Sequence, residues 1–232
     1  MRIDKFFSEL KIFSRKETAI AVKQKRISVN GEIIKCVDFK VDEKNDLVLL
    51  DNNPISYNKY TYVMLNKPQG VVSATEDGRD RTVIDLLPPN IQKLQLFPCG
   101  RLDKDTLGLI ILTNDGISAH KRLAPKSHVE KMYKYECAEP LLDDDKNDIE
   151  RGVTLKDGTV TKPCKIIKKT DTCGEITLIE GKYHEIKRLF GYLGNKITYL
   201  ERISFGQIQL DENLSRGEWR YLTEKEIEYF IN

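Results

Sequence analysis

The sequence is poor in the residues that build metal centres and disulfide scaffolds. It has three His, one Trp and five Cys in 232 residues. The cysteines at 36, 99, 137, 164 and 173 are odd in number, far apart and without a CxxC pair. That spacing argues against zinc fingers and disulfide frameworks and predicts a reduced, cytoplasmic setting. His120, His128 and His184 are too scattered for a metal site, so no metal is assigned. No aliphatic run exceeds four residues, as in Leu47–Leu50 and Leu109–Leu112, which excludes a membrane-spanning helix. The start, Met1-Arg2-Ile3-Asp4-Lys5, lacks an apolar signal core. A GxSxG elbow and a GxGxxG turn are missing, and Gly181-Lys182 is followed by Tyr183 where a phosphate-binding loop needs Ser or Thr. No nucleotide or other cofactor is therefore expected.

What is present is 40% hydrophobic and 32% charged residues, enough for a core and for one large domain or a medium domain with a small companion. The net charge of +2 hides an asymmetry. Residues 1–35 carry nine Lys/Arg against four acids, giving +5, whereas residues 36–55 carry two bases and five acids, giving −3. A basic front end suggests contact with a polyanion, although charges on a solvated face would look the same.

The first fifty residues read as a unit. Ile3, Phe6, Phe7 and Leu10 make one apolar helical stripe. Ser14-Arg15-Lys16-Glu17 has the form of a capping box opening a second helix through about Lys25. Ile27 to Ile33 reads as a hairpin turning at Asn30-Gly31. Asn52 to Asn58 is polar and broken by Pro54, which predicts a linker. Beyond it, strand-like runs at 61–65, 109–112, 132–137, 165–167, 175–180 and 197–203 mix with helical patterns near 83–87, 116–123, 142–151 and 184–193. A second capping box, Thr223 to Glu226, opens a last helix. The expected class is α+β on a mixed, mainly antiparallel sheet.

Three constellations stand out. Arg2-Ile3-Asp4-Lys5-Phe6, Ser14-Arg15-Lys16-Glu17 and Arg26-Ile27-Ser28-Val29-Asn30-Gly31 follow one another at the front. Gly100-Arg101-Leu102-Asp103-Lys104-Asp105-Thr106-Leu107-Gly108 is a polar turn running into the aliphatic strand 109–112 and then Thr113-Asn114-Asp115-Gly116. Glu180-Gly181-Lys182-Tyr183-His184-Glu185-Ile186-Lys187-Arg188-Leu189-Phe190 puts an apolar face (Ile186, Phe190, Leu193) beside a basic one (His184, Lys187, Arg188). A buried edge carrying cations can hold an ionised carboxylate.

The first set resembles the S4 RNA-binding domain, named after a ribosomal protein. That resemblance implies RNA contacts from Arg2, Ser14, Arg15, Lys16, Lys23, Arg26 and Asn30. The second set closely resembles a signature of the pseudouridine synthases, and by that likeness Asp103 is the catalytic aspartate and Arg101 acts in base flipping. Leu65-Asn66-Lys67-Pro68-Gln69-Gly70 resembles the family's first motif, a loop supporting the active site. Lys131-Met132-Tyr133 resembles the segment whose Tyr packs on the target base. The third set resembles the motif whose basic residue, here Lys187, pairs with the catalytic carboxylate. Gly100, Leu102, Thr106, Gly108, Lys67, Pro68 and Leu189 would support these groups.

The resemblance covers nearly the whole chain and implies an S4-like domain at 1–55, a linker at 56–60 and a catalytic domain at 61–232. Lys126-Ser127-His128, Thr161-Lys162-Pro163 and the stretch from Leu210 to Glu224 resemble the family's small-subunit branch, which modifies uridine 516 of 16S rRNA. Lys126-Ser127 stands where that branch often has Arg-His, and Cys164 where it has a small residue. The implied partner is 16S rRNA or a small-subunit assembly intermediate, met by a monomer. A large-subunit (23S) target and a non-catalytic ribosome-assembly factor are the competing expectations.

Overall fold

The computed structural model describes residues 1–232, the side chain of Pro125 excepted. It divides into two compact units, Met1–Thr61 and Tyr62–Asn232.

In the first unit, α1 (Ile3–Glu9) and α2 (Arg15–Lys23) precede β1 (Ile27–Val29), β2 (Glu32–Ile33), β3 (Val48–Leu50) and β4 (Asn53–Ile55). The strands form an antiparallel sheet in the order β2-β1-β3-β4. Ser14 caps α2 reciprocally: its hydroxyl accepts from the Glu17 amide at 3.3 Å, and the Glu17 carboxylate accepts from the Ser14 amide at 2.7 Å. Such a cap contributes about 1 kcal/mol. Asn30 (φ 51°) and Gly31 (φ 87°) occupy the two left-handed positions that a tight hairpin turn requires. Ile3, Phe6, Phe7, Ala21, Val22 and Ile27 are buried together with Val29, Ile34, Val41 and Val48. The segment predicted as linker is in part the strand β4, and Pro54 is tolerated there because β4 lies at the sheet edge.

The second unit runs β5 (Tyr62–Lys67), α3 (Pro89–Gln92), β6 (Phe97–Cys99), β7 (Leu107–Thr113), α4 (Gly116–Leu123), β8 (Lys131–Cys137), α5 (Asp143–Arg151), β9 (Lys165–Lys168), β10 (Cys173–Leu178), α6 (Glu185–Tyr192), β11 (Ile197–Phe205), β12 (Ile208–Gln209), β13 (Trp219–Tyr221) and α7 (Glu224–Ile231). Its sheet has the order β13-β5-β7-β11-β8-β10-β9, with β12 beside β11 and β6 beside β7. The β7–β11 pair is parallel and the others are antiparallel. The mixed α+β class expected from the sequence is the class observed. The helix expected near 83–87 does not form. There the Asp85 carboxylate accepts from the Thr82 amide (2.7 Å) and hydroxyl (2.9 Å), local bonds that compete with a helix, and Pro88-Pro89 follows. The helical turn begins only at Pro89.

Register sets up the site. Lys67 lies opposite Gly108, Gly108 opposite Arg202, and Arg202 opposite Tyr133, so one row crosses β5, β7, β11 and β8. Gly108 has φ 97°, and an added Cβ would lie 2.3 Å from the Arg202 carbonyl oxygen. Only glycine lets β7 start this close to β11. The core between sheet and helices is built from residues such as Leu65, Ile110, Tyr135, Ile176, Leu189 and Phe190. Phe190 packs against Tyr135 with centroids 4.9 Å apart, which seats α6 on the sheet.

Candidate active site

The turn before β7 presents its polar groups at one end of that row. Three interactions hold it. Lys67, fully buried, donates from Nζ to the carbonyl oxygens of Thr106 (2.8 Å), Pro68 (3.1 Å) and Lys104 (3.3 Å). The Gly70 amide donates to the Lys104 carbonyl at 2.8 Å. Ser73 clasps Leu102, its hydroxyl donating to the Leu102 carbonyl (2.9 Å) and accepting from the Leu102 amide (3.0 Å). Burial pushes the Lys67 ammonium down to about 8, against the upward pull of Asp105 and Asp103.

Fixed in this way, Asp103 meets α6. Its Oδ2 accepts from Lys187 Nζ at 2.8 Å, and its Oδ1 lies 3.4 Å from His184 Nε2. Lys187 also donates to Asp105 at 2.5 Å, so one ammonium bridges two carboxylates. Burial alone would lower Lys187, but its hydrogen bonds to Asp103 and Asp105 outweigh this and raise it above the ordinary lysine value. Burial likewise opposes charge on Asp105, and the Lys187 hydrogen bond wins, holding that carboxyl below its usual range. Lys187 comes to the turn because Ile186, Leu189 and Phe190 bury the opposite side of α6.

Asp103 opens into a cleft whose walls include Arg101, Thr106, Tyr133, Leu178, Ile186 and Leu200. Tyr133 is 8% exposed, while Arg101 is exposed and makes no ion pair among the described residues. The arrangement is an ionic carboxylate–ammonium pair at the edge of an aromatic and aliphatic slot, suited to a planar base attached to a sugar.

The profile of the RNA pseudouridylate synthase family matches residues 61–192. An uncharacterized RNA pseudouridine synthase of Bacillus subtilis is 43% identical over 98% of this chain and 97% of its own length. The chain belongs to the RNA pseudouridylate synthase family. The ribosomal small subunit pseudouridine synthase A of Escherichia coli is 38% identical, with 98% of each chain covered. The same-named protein of Haemophilus influenzae is 36% identical over the whole of both chains. A crystal structure of a pseudouridylate synthase superposes with a TM-score of 0.71 at 35% identity, covering both chains completely. The chain is thus an isomerase of the pseudouridine synthase type.

Against that family, the structure brings Arg101, Leu102, Asp103, Thr106, Tyr133 and Lys187 to one cleft, while Gly100 (φ 86°) and Gly108 (φ 97°) flank the turn in sequence and Leu189 is buried on α6. Pro68 supplies one of the carbonyls that hold Lys67. Asp105 and Ser73 were not singled out by sequence reasoning. Asp105 was findable, two residues after Asp103 in the same polar turn. Ser73 had no local signal, since its partner lies 29 residues on.

The candidate RNA-contact residues of the first unit divide by geometry. Arg2 pairs with Asp4 at 3.1 Å, Arg26 grips Asp51 through two hydrogen bonds (2.8 and 2.6 Å), and Asn30 bonds Asp46 and the Leu47 amide. Ser14 is spent on its cap. Arg15, Lys16 and Lys23 are exposed on α2 and make no ion pair among the described residues.

Proposed function

We propose that this protein isomerises one uridine of small-subunit 16S rRNA to pseudouridine, uridine 516 being the candidate, with Asp103 as the essential group. The observation that carries this reading is the Asp103 carboxylate 2.8 Å from Lys187, at the edge of the slot formed by Tyr133 and Leu200. Full-length similarity to relatives named for the small ribosomal subunit supports the choice of RNA.

In the reaction the bond from ribose C1′ to uracil N1 breaks, the base turns, and C1′ joins C5. The C5 proton leaves and N1 gains one, so the product is an isomer and no donor or oxidant enters. The target base must first leave its stack, at a cost of a few kcal/mol. Tyr133 takes the face of the base, and Arg101 fills the vacated space or holds a phosphate. Adding to the sugar and abstracting its proton both require an ionised Asp103, and Lys187 supplies its counter-charge. Residues 1–55 act as an S4-like RNA-binding domain, and Arg15, Lys16 and Lys23 grip backbone phosphates without reading sequence. The protein works as a cytoplasmic monomer on 16S rRNA or a small-subunit assembly intermediate.

The test is a pseudouridine map of rRNA from cells with and without the gene. Loss of one small-subunit site, restored by the wild type and not by Asp103→Asn, is the expected result. Loss at a large-subunit (23S) site keeps the chemistry and overturns the target.

A further inference from the structure

One flank of the cleft carries an aromatic pair that the isomerisation itself does not use. Tyr183 is 75% exposed, and among the described large hydrophobic side chains only Ile117, at 79%, is more so. Its ring lies on the His184 imidazole with centroids 3.8 Å apart and planes within 19°. Arg188 donates to the Tyr183 carbonyl at 3.3 Å. His184 stands at the N-cap of α6 with φ 48°, the left-handed region, and its Nε2 lies 3.4 Å from Asp103 Oδ1. Left-handed backbone at a non-glycine residue is costly and concentrates at functional positions. Asp103, His184 and Tyr183 therefore form a continuous line from the carboxylate to an open aromatic face.

The surroundings suit nucleic acid. Lys187 and Arg188 also line a groove on the outer side of α6, together with Lys156, the half-exposed Tyr192 and Asp157, which pairs with Arg188. Exposed aromatic faces interleaved with cations are how proteins hold single-stranded nucleic acid, because every base offers a π-face. A tyrosine that merely filled surface would cover apolar neighbours, yet three quarters of Tyr183 stays open to solvent.

We propose that Tyr183, backed by His184, is a stacking platform for the nucleobase adjacent to the flipped uridine. Flipping a uridine strips a stacking partner from its neighbours, and the platform returns one. This rests on Asp103 marking the reaction site. His184 is a positioning residue, holding the Tyr183 ring parallel to the incoming base.

The test measures kcat/KM on synthetic RNAs carrying the mapped uridine, with the flanking nucleotide intact or abasic on the 5′ or the 3′ side. Tyr183→Ala is expected to lower kcat/KM on the order of tenfold with intact RNA, the worth of one base–aromatic stack. On the RNA lacking the stacked base it should cost no more than about twofold, the coupling that a shared contact produces. Tyr183→Phe, which keeps the ring, should recover the lost activity. Equal losses on intact and abasic RNAs, or no loss at all, overturn the platform. Asp103→Asn assayed on the same RNAs separates the two claims. If it turns over, the site assignment falls and the platform with it. If it is dead while Tyr183 shows no coupling, the platform alone falls.

Discussion

The two units handle charge in opposite ways. In residues 1–61 the buried core is apolar apart from Asp4 and Thr18, and the cations lie outside, some neutralised by acids and others, Arg15, Lys16 and Lys23 among them, open to solvent. In residues 62–232 ionisable groups go inside: Lys67, Asp115, Glu185, Glu201 and Arg202 are all buried. Buried charge is expensive unless it is hydrogen-bonded or paired. Lys67 shows how it is accommodated, with three carbonyl acceptors, and two of those carbonyls belong to the turn that carries Asp103. The contrast fits the two tasks proposed above. Gripping a phosphate backbone needs only accessible charge, whereas holding a carboxylate fixed beside a flipped base needs charge locked in a rigid, partly dry frame.

The largest effect that follows lies in the second unit. Asp103→Asn keeps the shape of the side chain and removes its charge, and turnover is expected to fall at least ~10³-fold, about 4 kcal/mol of barrier. RNA affinity should stay near that of the wild type if, as proposed, the first unit supplies the phosphate contacts. Single-turnover kinetics beside a binding titration would check both halves. Near-normal turnover would remove the distinction drawn between the units.

The same contrast explains what was legible in the sequence. Elements that bury one face announce themselves by period, as in α1 with Ile3, Phe6 and Phe7 and α6 with Ile186 and Phe190, and β7, buried on both faces, by its aliphatic run. Caps and turns announced themselves too, since Ser14, Glu17, Asn30 and Gly31 act within a few residues of one another. The short strands β6 and β13 were not anticipated, because three residues carry little period and their pairing with β7 and β5 is tertiary. The helix expected at 83–87 failed because apolar spacing cannot show that Asp85 will bond back to Thr82. At the site, Asp103 and Lys187 came from motif resemblance. The frame behind them (Ser73 on Leu102, Lys67 on the turn carbonyls) depends on contacts 29 to 39 residues apart that spacing does not encode.

A smaller effect would sharpen the reading of the first unit. Replacing Arg15, Lys16 and Lys23 together by Gln removes exposed charge without touching an ion pair or the core. The expected outcome is RNA affinity weakened about tenfold or more at moderate salt, with the slope of log K against log salt shallower by up to about two, the single-strand value for three phosphates. Fluorescence anisotropy across a salt series would measure it. An unchanged slope would show that these cations face water in the complex, and the RNA-binding role of the first unit would then need another surface.

The smallest effect concerns stability and uses buried charge in the second unit as a pH probe. Glu185 is 4% exposed. Its Oε2 accepts from the Lys182 amide at 2.8 Å, while Oε1 meets no donor. Burial, together with the adjoining Glu180 carboxyl, pushes Glu185 up from 4.5 to about 7, whereas Glu180, bonded by Glu185, the Lys162 amide and Lys182, is held below its usual range despite burial. Burial beside Glu180 thus favours the neutral form of Glu185, with the Lys131 and Lys182 ammoniums nearby. A carboxyl raised on folding contributes stability in full below about 4.5, and that contribution is lost as pH rises through about 7. Glu185→Gln is neutral at every pH. Its melting temperature should exceed that of the wild type by about 2–5 °C at pH 8, and the difference should vanish near pH 4.5, where both chains carry a neutral side chain at position 185. A gap that stays constant across this range would mean that Glu185 is ionised in the folded protein.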